Sequence, residues 1–256
     1  MAVTHATAAC EVALATSTFD DAPISLDGWQ GINNDGDREI LERLAHPDGS
    51  GGYIQLREDA GDSATMVFLA PPKFLGDQHL AYGGRLVFRL KQYRTDQFYS
   101  AADVTLVSGG IRLNYFFGHI PGTTWEQFEV QLVEGPGWNR NGQRATQADF
   151  QTVLSSLQRL TIRGEFSSRQ AERTGLDDVR LLAAAPRLEI HHLPDGRVVV
   201  SWARAYAAWQ LKASVQLAAG WAVVDAAPID NAGMLSVTIP ADGPSAFYHL
   251  VCPNAP

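Results

Sequence analysis

The sequence predicts an all-β protein: an antiparallel β-sandwich with one short helix, followed by a second, smaller β-sandwich. Segments of strand length recur along the chain, alternate between apolar and polar residues or run apolar, and are separated by Gly, Pro, Asn or Asp. A single segment, which starts at Thr146, spaces its apolar residues as a helix does. An alanine-rich stretch that ends at Pro186 separates the two halves.

The predicted strands of the first half are residues 52–57, 65–69, 86–90, 104–107, 111–116, 128–132 and 160–163. Within the third of them, Leu86, Phe88 and Leu90 are expected to face the core. Arg85 and Arg89 then face the opposite side of the sheet. This alternation is typical of antiparallel sheets with one covered face.

The predicted helix begins after Thr146, a residue type that caps helix N-termini well. Phe150, Val153, Leu154 and Leu157 fall on one face of it. We expect an amphipathic helix of about three turns that plugs one end of the sandwich without binding a ligand.

The second half is predicted to begin after a linker at residues 183–186. Its first hairpin has strands at 187–193 and 197–202 around the turn Pro194-Asp195-Gly196. Further predicted strands follow at 209–215, 221–224, 235–239 and 246–251. In outline, residues 187–256 resemble a fibronectin type III-like module.

Composition excludes several classes of partner. The chain of 256 residues has a net charge of -8 and no cluster of Lys and Arg, so nucleic acid is not expected to bind. It has no apolar run long enough for membrane insertion. Residues 1–17 are predicted to be an N-terminal extension, in which no signal peptide is visible because the first Lys or Arg is Arg38.

The only two cysteines, Cys10 and Cys252, lie at opposite ends of the chain. They form one disulfide if the termini meet, or they stay as two buried thiols. Their spacing fits no metal motif.

One segment of the first half, PPKFLGDQHLAYGG at residues 71–84, opens a series of motifs in a characteristic order. The series continues through residues 86–88, 110–113, 137–138, the helix at 148–157, the strand at 160–166 and the closing GLDDV at 175–179. In this order the motifs resemble a laminin IV type A domain, also called laminin B, over residues 18–182.

The resemblance implies a galactose-binding-like jelly-roll fold for residues 18–182. It also implies a secreted or cell-surface protein, since the family occurs in extracellular adhesion proteins and in secreted or surface proteins of bacteria. Laminin chains carry this domain within cysteine-rich EGF-like repeats, which are absent here. Participation in a basement-membrane network is therefore not implied.

The predicted jelly-roll domain has an acidic pair near each end, Asp20-Asp21 and Asp177-Asp178. These pairs suggest a structural Ca²⁺ ion, which binds roughly six to eight oxygen ligands in irregular geometry. Asp20 and Asp177 are the predicted ligands, with Asp21 and Asp27 as weaker candidates, because pairing of the first and last strands would bring these ends together. Related carbohydrate-binding jelly rolls hold calcium with similar residues. The alternative is that the aspartates form turns and helix caps. The Asn33–Asp37 loop has the D-x-D spacing and the Gly of a Ca²⁺ loop, but it lacks the bidentate Glu at the twelfth position and the flanking helices, so it is interpreted as a flexible turn.

Catalysis is not expected. The seven histidines have no metal-ligand spacing, and the adjacent His191 and His192 point to opposite faces of a strand. No local pattern marks an acid and its partner among the available carboxylates, which are Glu126, Glu129, Glu134 and Glu165.

Aromatic residues in or beside loops are the candidate ligand contacts, because planar rings stack on sugar faces. The predicted ligand-binding residues are Tyr93, Arg94, Asp96, Phe98, Tyr99 and Trp138. Tyr115, Phe117 and Trp125 share this setting, and burial in the core is the alternative for each ring. The predicted partner is a glycan, with an extracellular protein as the alternative for an adhesive or scaffolding module.

Overall fold

The structure, a computed structural model, describes residues 11–20, 25–57, 64–167, 172–217, 220–240 and 246–252. The chain divides into two compact units, a larger one over Ala13–Ala184 and a smaller one that includes the chain from Ala185 onward. The larger unit begins earlier than the predicted domain start at residue 18, because Ala13–Ser17 forms a strand that pairs with the last strand of this unit.

The larger unit is a β-sandwich with one α-helix. Its strands are β1 (Ala13–Ser17), β2 (Gln30–Asn33), β3 (Ile40–Ala45), β4 (Gly52–Arg57), β5 (Met66–Leu69), β6 (Arg85–Gln92), β7 (Val104–Ser108), β8 (Ile111–Tyr115), β9 (Glu126–Gln131), β10 (Trp138–Arg140), β11 (Gln143–Arg144), β12 (Arg159–Arg163) and β13 (Arg173–Leu182). The helix, α1, spans Gln147–Leu154.

Two antiparallel sheets form the sandwich. The front sheet has the order β3-β4-β13-β6-β9, and β1 also pairs with β13. The back sheet has the order β11-β10-β8-β7-β12-β5-β2. This architecture confirms the predicted all-β jelly roll.

The core lies between the sheets, and the alternation of β6 places it there. Leu86, Phe88 and Leu90 are fully buried, as predicted. The predicted strands of the first half are all present, with ends shifted by a residue or two.

The helix is shorter than predicted, at eight residues or about two turns. Thr146 is its N-cap and forms a capping box with Asp149, in which each side chain bonds the backbone N–H of the other residue. Phe150, Val153 and Leu154 are buried as expected.

The segment 71–84 packs against the core of the sandwich and against the end of β13. Phe74 is fully buried and its ring centroid lies 5.4 Å from that of Trp29. Gly84 crosses β13 so closely that a Cβ atom there would lie 2.1 Å from the Leu182 carbonyl oxygen. A larger residue at position 84 would therefore push the two segments apart.

The smaller unit contains β14 (Glu189–His192), β15 (Arg197–Ala203), β16 (Gln210–Ser214), β17 (Ala222–Val223), β18 (Ile229–Asn231), β19 (Met234–Pro240) and β20 (Phe247–Val251). They form a four-stranded sheet, β14-β15-β19-β18, and a three-stranded sheet, β17-β16-β20. Val200 and Trp202 are buried in its core. The two sheets confirm the predicted second β-sandwich, and its likeness to fibronectin type III modules stays a prediction.

Cys252 is buried and disulfide-bonded. The other cysteine of the sequence, Cys10, lies outside the described residues.

Candidate functional site

The outer face of the front sheet carries a cluster of aromatic and charged side chains. We call it the front-face cluster and define it by the residues His46, Tyr53, Arg89, Lys91, Tyr93, Trp125 and Asp177. Strand register explains this grouping, because Arg89 is paired with Asp177 and Lys91 with Gly175 across β6 and β13. Paired residues of neighbouring strands share one face of a sheet.

Three rings form the centre of the cluster. The ring centroids of His46, Tyr53 and Trp125 are 5.0–5.2 Å apart in every pairing. Gly175 makes room for them, because a Cβ atom at this position would lie 2.7 Å from Cη2 of Trp125. The half-buried indole thus lies directly on the backbone of β13.

Cations surround the indole. The Arg89 guanidinium is 5.5 Å and the Lys91 ammonium 6.0 Å from the Trp125 ring, distances at which cation–π attraction operates. Lys91 is also 5.1 Å from the ring of Tyr93, which is 40% exposed. The Tyr93 and Tyr53 hydroxyls are 3.1 Å apart, and burial together with this contact raises the pKa of Tyr53.

A buried acid anchors the cluster. Asp177 is 4% exposed, and its Oδ2 lies 2.9 Å from Nε2 of His46 and 3.8 Å from the Arg89 guanidinium. A bulge in β13 after Asp177, where Asp178 adopts a φ of 49°, separates its two stretches of regular pairing with β6. Burial raises the pKa of Asp177, and the hydrogen bond with His46 opposes that rise.

The predicted calcium ligands meet at one hairpin. Asp20 accepts a hydrogen bond from the Gly52 amide at 3.0 Å, while Asp177 contacts His46 on the same β3–β4 turn. Asp27 contacts Ser17 and Lys73, and Asp21 lies outside the described residues. Among the described residues, no group of three or more His, Cys, Asp or Glu is placed to hold a metal ion. The described carboxylates thus do not form an ion cage by themselves, and the calcium ion stays a prediction.

The predicted turn at Asn33–Asp37 is present. The Asn33 side chain accepts hydrogen bonds from the amides of Asp35 and Asp37 at 3.1 and 2.8 Å. Gly36 supplies the positive φ of 95° that the turn requires.

The predicted ligand-binding residues occupy different surfaces. Tyr93 belongs to the front-face cluster, while Arg94 and Asp96 are exposed in the connection that follows β6. Phe98, 45% exposed, and Tyr99 line another groove of about 370 Å³. The sequence signal for one site thus falls on two places.

Trp138 requires a correction. It is 3% exposed, its indole N–H donates to the Gln131 carbonyl oxygen at 2.7 Å, and its ring packs edge-on against Phe150. A ring covered on this scale presents no face to a sugar. Trp138 is therefore a core residue.

The groove at Phe98 borders a buried ion pair. Arg163 lies 3.2 Å from Asp103, and its guanidinium stacks between the rings of Tyr99 and Phe166 at 4.5 and 4.6 Å. The Tyr99 hydroxyl donates to Thr65, and burial raises the pKa of Tyr99 to about 12.

Sequence reasoning missed His46, Tyr53 and Arg89 as members of a site. The sequence pattern singles out Trp125 only as one loop aromatic among several. The available signal was Gly175 within the closing GLDDV motif, since a glycine inside a strand marks close approach by another group.

The candidate carboxylates for hydrolysis do not converge on a common group. Glu126 contacts His119, Glu134 accepts from the Tyr82 hydroxyl, and Glu165 accepts from the Met66 amide. Glu129 lies 3.6 Å from Arg85. Each thus has its own partner.

Comparison with known proteins identifies a family whose model matches half of the chain. The model of the family described as Laminin B (Domain IV) matches residues 67–195. Human laminin subunit gamma-1 is 32% identical over 179 residues, which cover 67% of this chain and 10% of that protein. Human laminin subunit gamma-2 is 28% identical over 182 residues, which cover 67% of this chain and 14% of that protein.

The L4b domain of human laminin alpha-2 has a similar fold, with a TM-score of 0.50 and 12% identity over 66% of this chain and 97% of that domain. The match to the gamma subunits spans only about a tenth of their length. None of the helices in the described part of the chain is both long and apolar enough to cross a membrane.

Proposed function

This chain belongs to the Laminin B (Domain IV) family, and we propose that it is a non-catalytic extracellular binding module whose ligand is a glycan. The proposed location is the secreted fraction or the cell surface. The disulfide at Cys252 supports that location, because disulfides persist in oxidising compartments.

The Trp125 ring, which packs directly on Gly175 of β13, is the observation that carries this proposal. A half-buried indole can stack on the apolar face of a sugar ring. Arg89, Lys91 and the Tyr53–Tyr93 hydroxyl pair surround it with hydrogen-bonding groups for sugar hydroxyls. Sites for small ligands combine such an apolar surface with a few convergent polar groups.

The front-face cluster is already held in place before any ligand arrives. Contacts between the three rings and the bond of His46 to Asp177 limit the freedom of these side chains. Preorganised side chains lose less conformational entropy on binding, so more of the interaction energy contributes to affinity.

Replacing either of two aromatic rings of the front-face cluster, the exposed Tyr93 or the half-buried Trp125, tests the proposal. Tyr93→Ala and Trp125→Ala are each expected to weaken glycan binding by about thirtyfold or more, because central aromatic anchors often contribute about 2 kcal/mol or more. A glycan array followed by affinity electrophoresis in mixed-linkage β-glucan, xylan and galactan measures this effect.

Phe98→Ala is the matched control. It removes an equally exposed aromatic ring from the same β6–β7 connection but outside the front-face cluster, and binding is expected to be unchanged. Thermal unfolding of each variant shows that the fold persists. Weakening by Phe98→Ala alone would move the site to the groove at Phe98, and equal binding by all variants would refute a front-face site.

An adhesive or scaffolding module is the second candidate. The smaller unit exposes large apolar side chains, and such surfaces are typical of protein interfaces when they are contiguous. The exposed residues are Ile190, Val215, Leu217, Val223, Ile229 and Phe247. Retention by no glycan on the array would favour this candidate.

The predicted calcium ion has a separate test. If an ion is held with Asp20 and Asp177, a chelator lowers the melting temperature, because a ligand that binds only the folded state stabilises it. Asp177→Ala should abolish that decrease, while Asp195→Ala in the smaller unit should leave it intact. Identical melting curves with calcium and with chelator would refute the ion.

A further inference from the structure

Two arginines stand side by side on the outer face of the back sheet. Val107 on β7 is paired with Arg112 on β8 and with Arg159 on β12. Because register partners share a face, both guanidinium groups project from the same surface, on either side of Val107. The core side of these strands is occupied by Leu106, Leu113 and Leu160 instead.

Neither arginine has an acidic partner among the residues that the structure describes. No hydrogen bond or ion pair joins Arg112 or Arg159 to another side chain in the described ranges, whereas Arg140 and Arg163 each contact a carboxylate. The pocket beside the pair is lined by both arginines and by no Asp or Glu.

The like charges oppose each other. Partial burial and the positive charge of Arg112 lower the pKa of Arg159. The two like charges repel each other, and the pocket beside them has no carboxylate to offset that repulsion, so their placement does not favour the fold. An arrangement that costs stability without a structural return is typical of a binding site.

The remaining lining fits a sugar ring. The pocket has a volume of about 300 Å³, and hydroxyl or amide groups of Thr105, Asn114 and Thr161 line it. Phe116, 37% exposed, forms one wall. Guanidinium groups bind carboxylate or sulfate oxygens through paired hydrogen bonds, and an aromatic wall can contact the ring that bears the anion.

We propose that this pocket binds the anionic group of an acidic polysaccharide, with Arg112 and Arg159 as a clamp for a carboxylate or sulfate. The site is on the opposite sheet from the front-face cluster and does not depend on it. A module with both sites would bind a neutral part of a glycan with one face and an acidic part with the other.

Affinity electrophoresis with matched polymers tests the clamp. The protein should be retarded by polygalacturonate but not by its methyl-esterified form, which keeps the backbone and loses the charge. Dextran sulfate against dextran repeats the comparison for sulfate. Retardation should decrease with added salt, because the attraction is electrostatic.

Arg112→Gln and Arg159→Gln should each weaken retardation about tenfold, the loss expected for a charge-assisted hydrogen-bonded contact. Arg144→Gln removes the same charge from exposed strand β11 of the same sheet and should change nothing. Trp125→Ala should also leave acidic binding intact, which separates this site from the front-face cluster.

Stability gives a second readout. Without polymer, Arg112→Gln should melt at the same or a higher temperature than the wild type, because it relieves repulsion with Arg159. The proposal is overturned if neither arginine variant weakens retardation, if Arg144→Gln weakens it equally, or if the methyl-esterified polymer retards the protein as strongly as the acid.

Discussion

Arg163→Met is expected to lower the free energy of unfolding by about 3–5 kcal/mol, the cost of leaving a buried charge without its partner. The side chain of Arg163 is 3% exposed and that of Asp103 is 8% exposed. Burial already raises the pKa of Asp103, against the pull of the Phe117 amide and of Arg163. Methionine keeps much of the volume and removes the charge.

More than one bond depends on this guanidinium. Arg163 donates to the backbone carbonyl oxygens of Tyr99 and Ala101, and these bonds hold that part of the β6–β7 connection against β12. It also donates to the carbonyl oxygen of Glu165, just beyond β12. Without these bonds, three partly buried carbonyl groups lose a donor as well. Urea denaturation of both proteins at pH 7 measures the difference.

Two further variants identify the cause of the loss. Arg163→Lys keeps the charge but not the planar fork, so it should destabilise less than Arg163→Met. Arg57→Met breaks a half-exposed pair, 3.8 Å from Glu42, and should cost less than about 1 kcal/mol. A loss for Arg163→Met no larger than that for Arg57→Met would show that the buried pair adds no net stability.

Alternating strands with large apolar residues could be predicted, because their own sequence determines which face is buried. Leu86, Phe88 and Leu90 of β6, which alternate with Arg89 and Lys91 at the end of the strand, are an example. β1 and β2 could not, since ALATS and QGIN contain little that prefers a strand. They become strands through pairing with β13 and β5, which is a tertiary effect.

The site was harder to predict for a related reason. Tyr53, Trp125 and Gly175 meet only because β4, β13, β6 and β9 are neighbours, and no local pattern specifies that order. For Trp138 the error is the opposite one, because the sequence predicts a ligand contact and the structure shows a core residue. A tryptophan after a glycine fits a loop and a sandwich end equally well, and only the bond from its indole N–H to Gln131 shows which one applies.

Between about pH 4.5 and pH 7, the wild type should lose stability as pH rises, through Glu172. This residue is 1% exposed, and its two carboxyl oxygens accept hydrogen bonds from the backbone amides of Phe166 and Ser167, at 2.9 and 2.8 Å. Burial raises the pKa of Glu172 from 4.5 to about 7 in spite of those bonds.

The sign follows from proton uptake. Within this window the folded state holds the proton on Glu172 while the unfolded chain has released it, so each rise in pH favours unfolding. The contribution is fully present below pH 4.5 and is lost once pH exceeds about 7. At about 1.4 kcal/mol per pH unit, the total is on the order of 3 kcal/mol.

Urea denaturation of wild type and Glu172→Gln at pH 5 and pH 8 isolates the contribution of Glu172 to the free energy of unfolding. Asp103 and Asp177 titrate in both proteins, so their contributions cancel when the two free energies are subtracted. The NH2 group of glutamine cannot accept a hydrogen bond, so the variant loses one of the two amide contacts and should be less stable than wild type at pH 5. Because glutamine does not titrate, much of that gap should close at pH 8, where wild type has lost the contribution of the protonated Glu172. Glu189→Gln, on exposed strand β14, should follow the wild-type pH profile. Parallel profiles for wild type and Glu172→Gln would show that Glu172 is ionised in the folded protein throughout, held by the two amides rather than neutralised by burial.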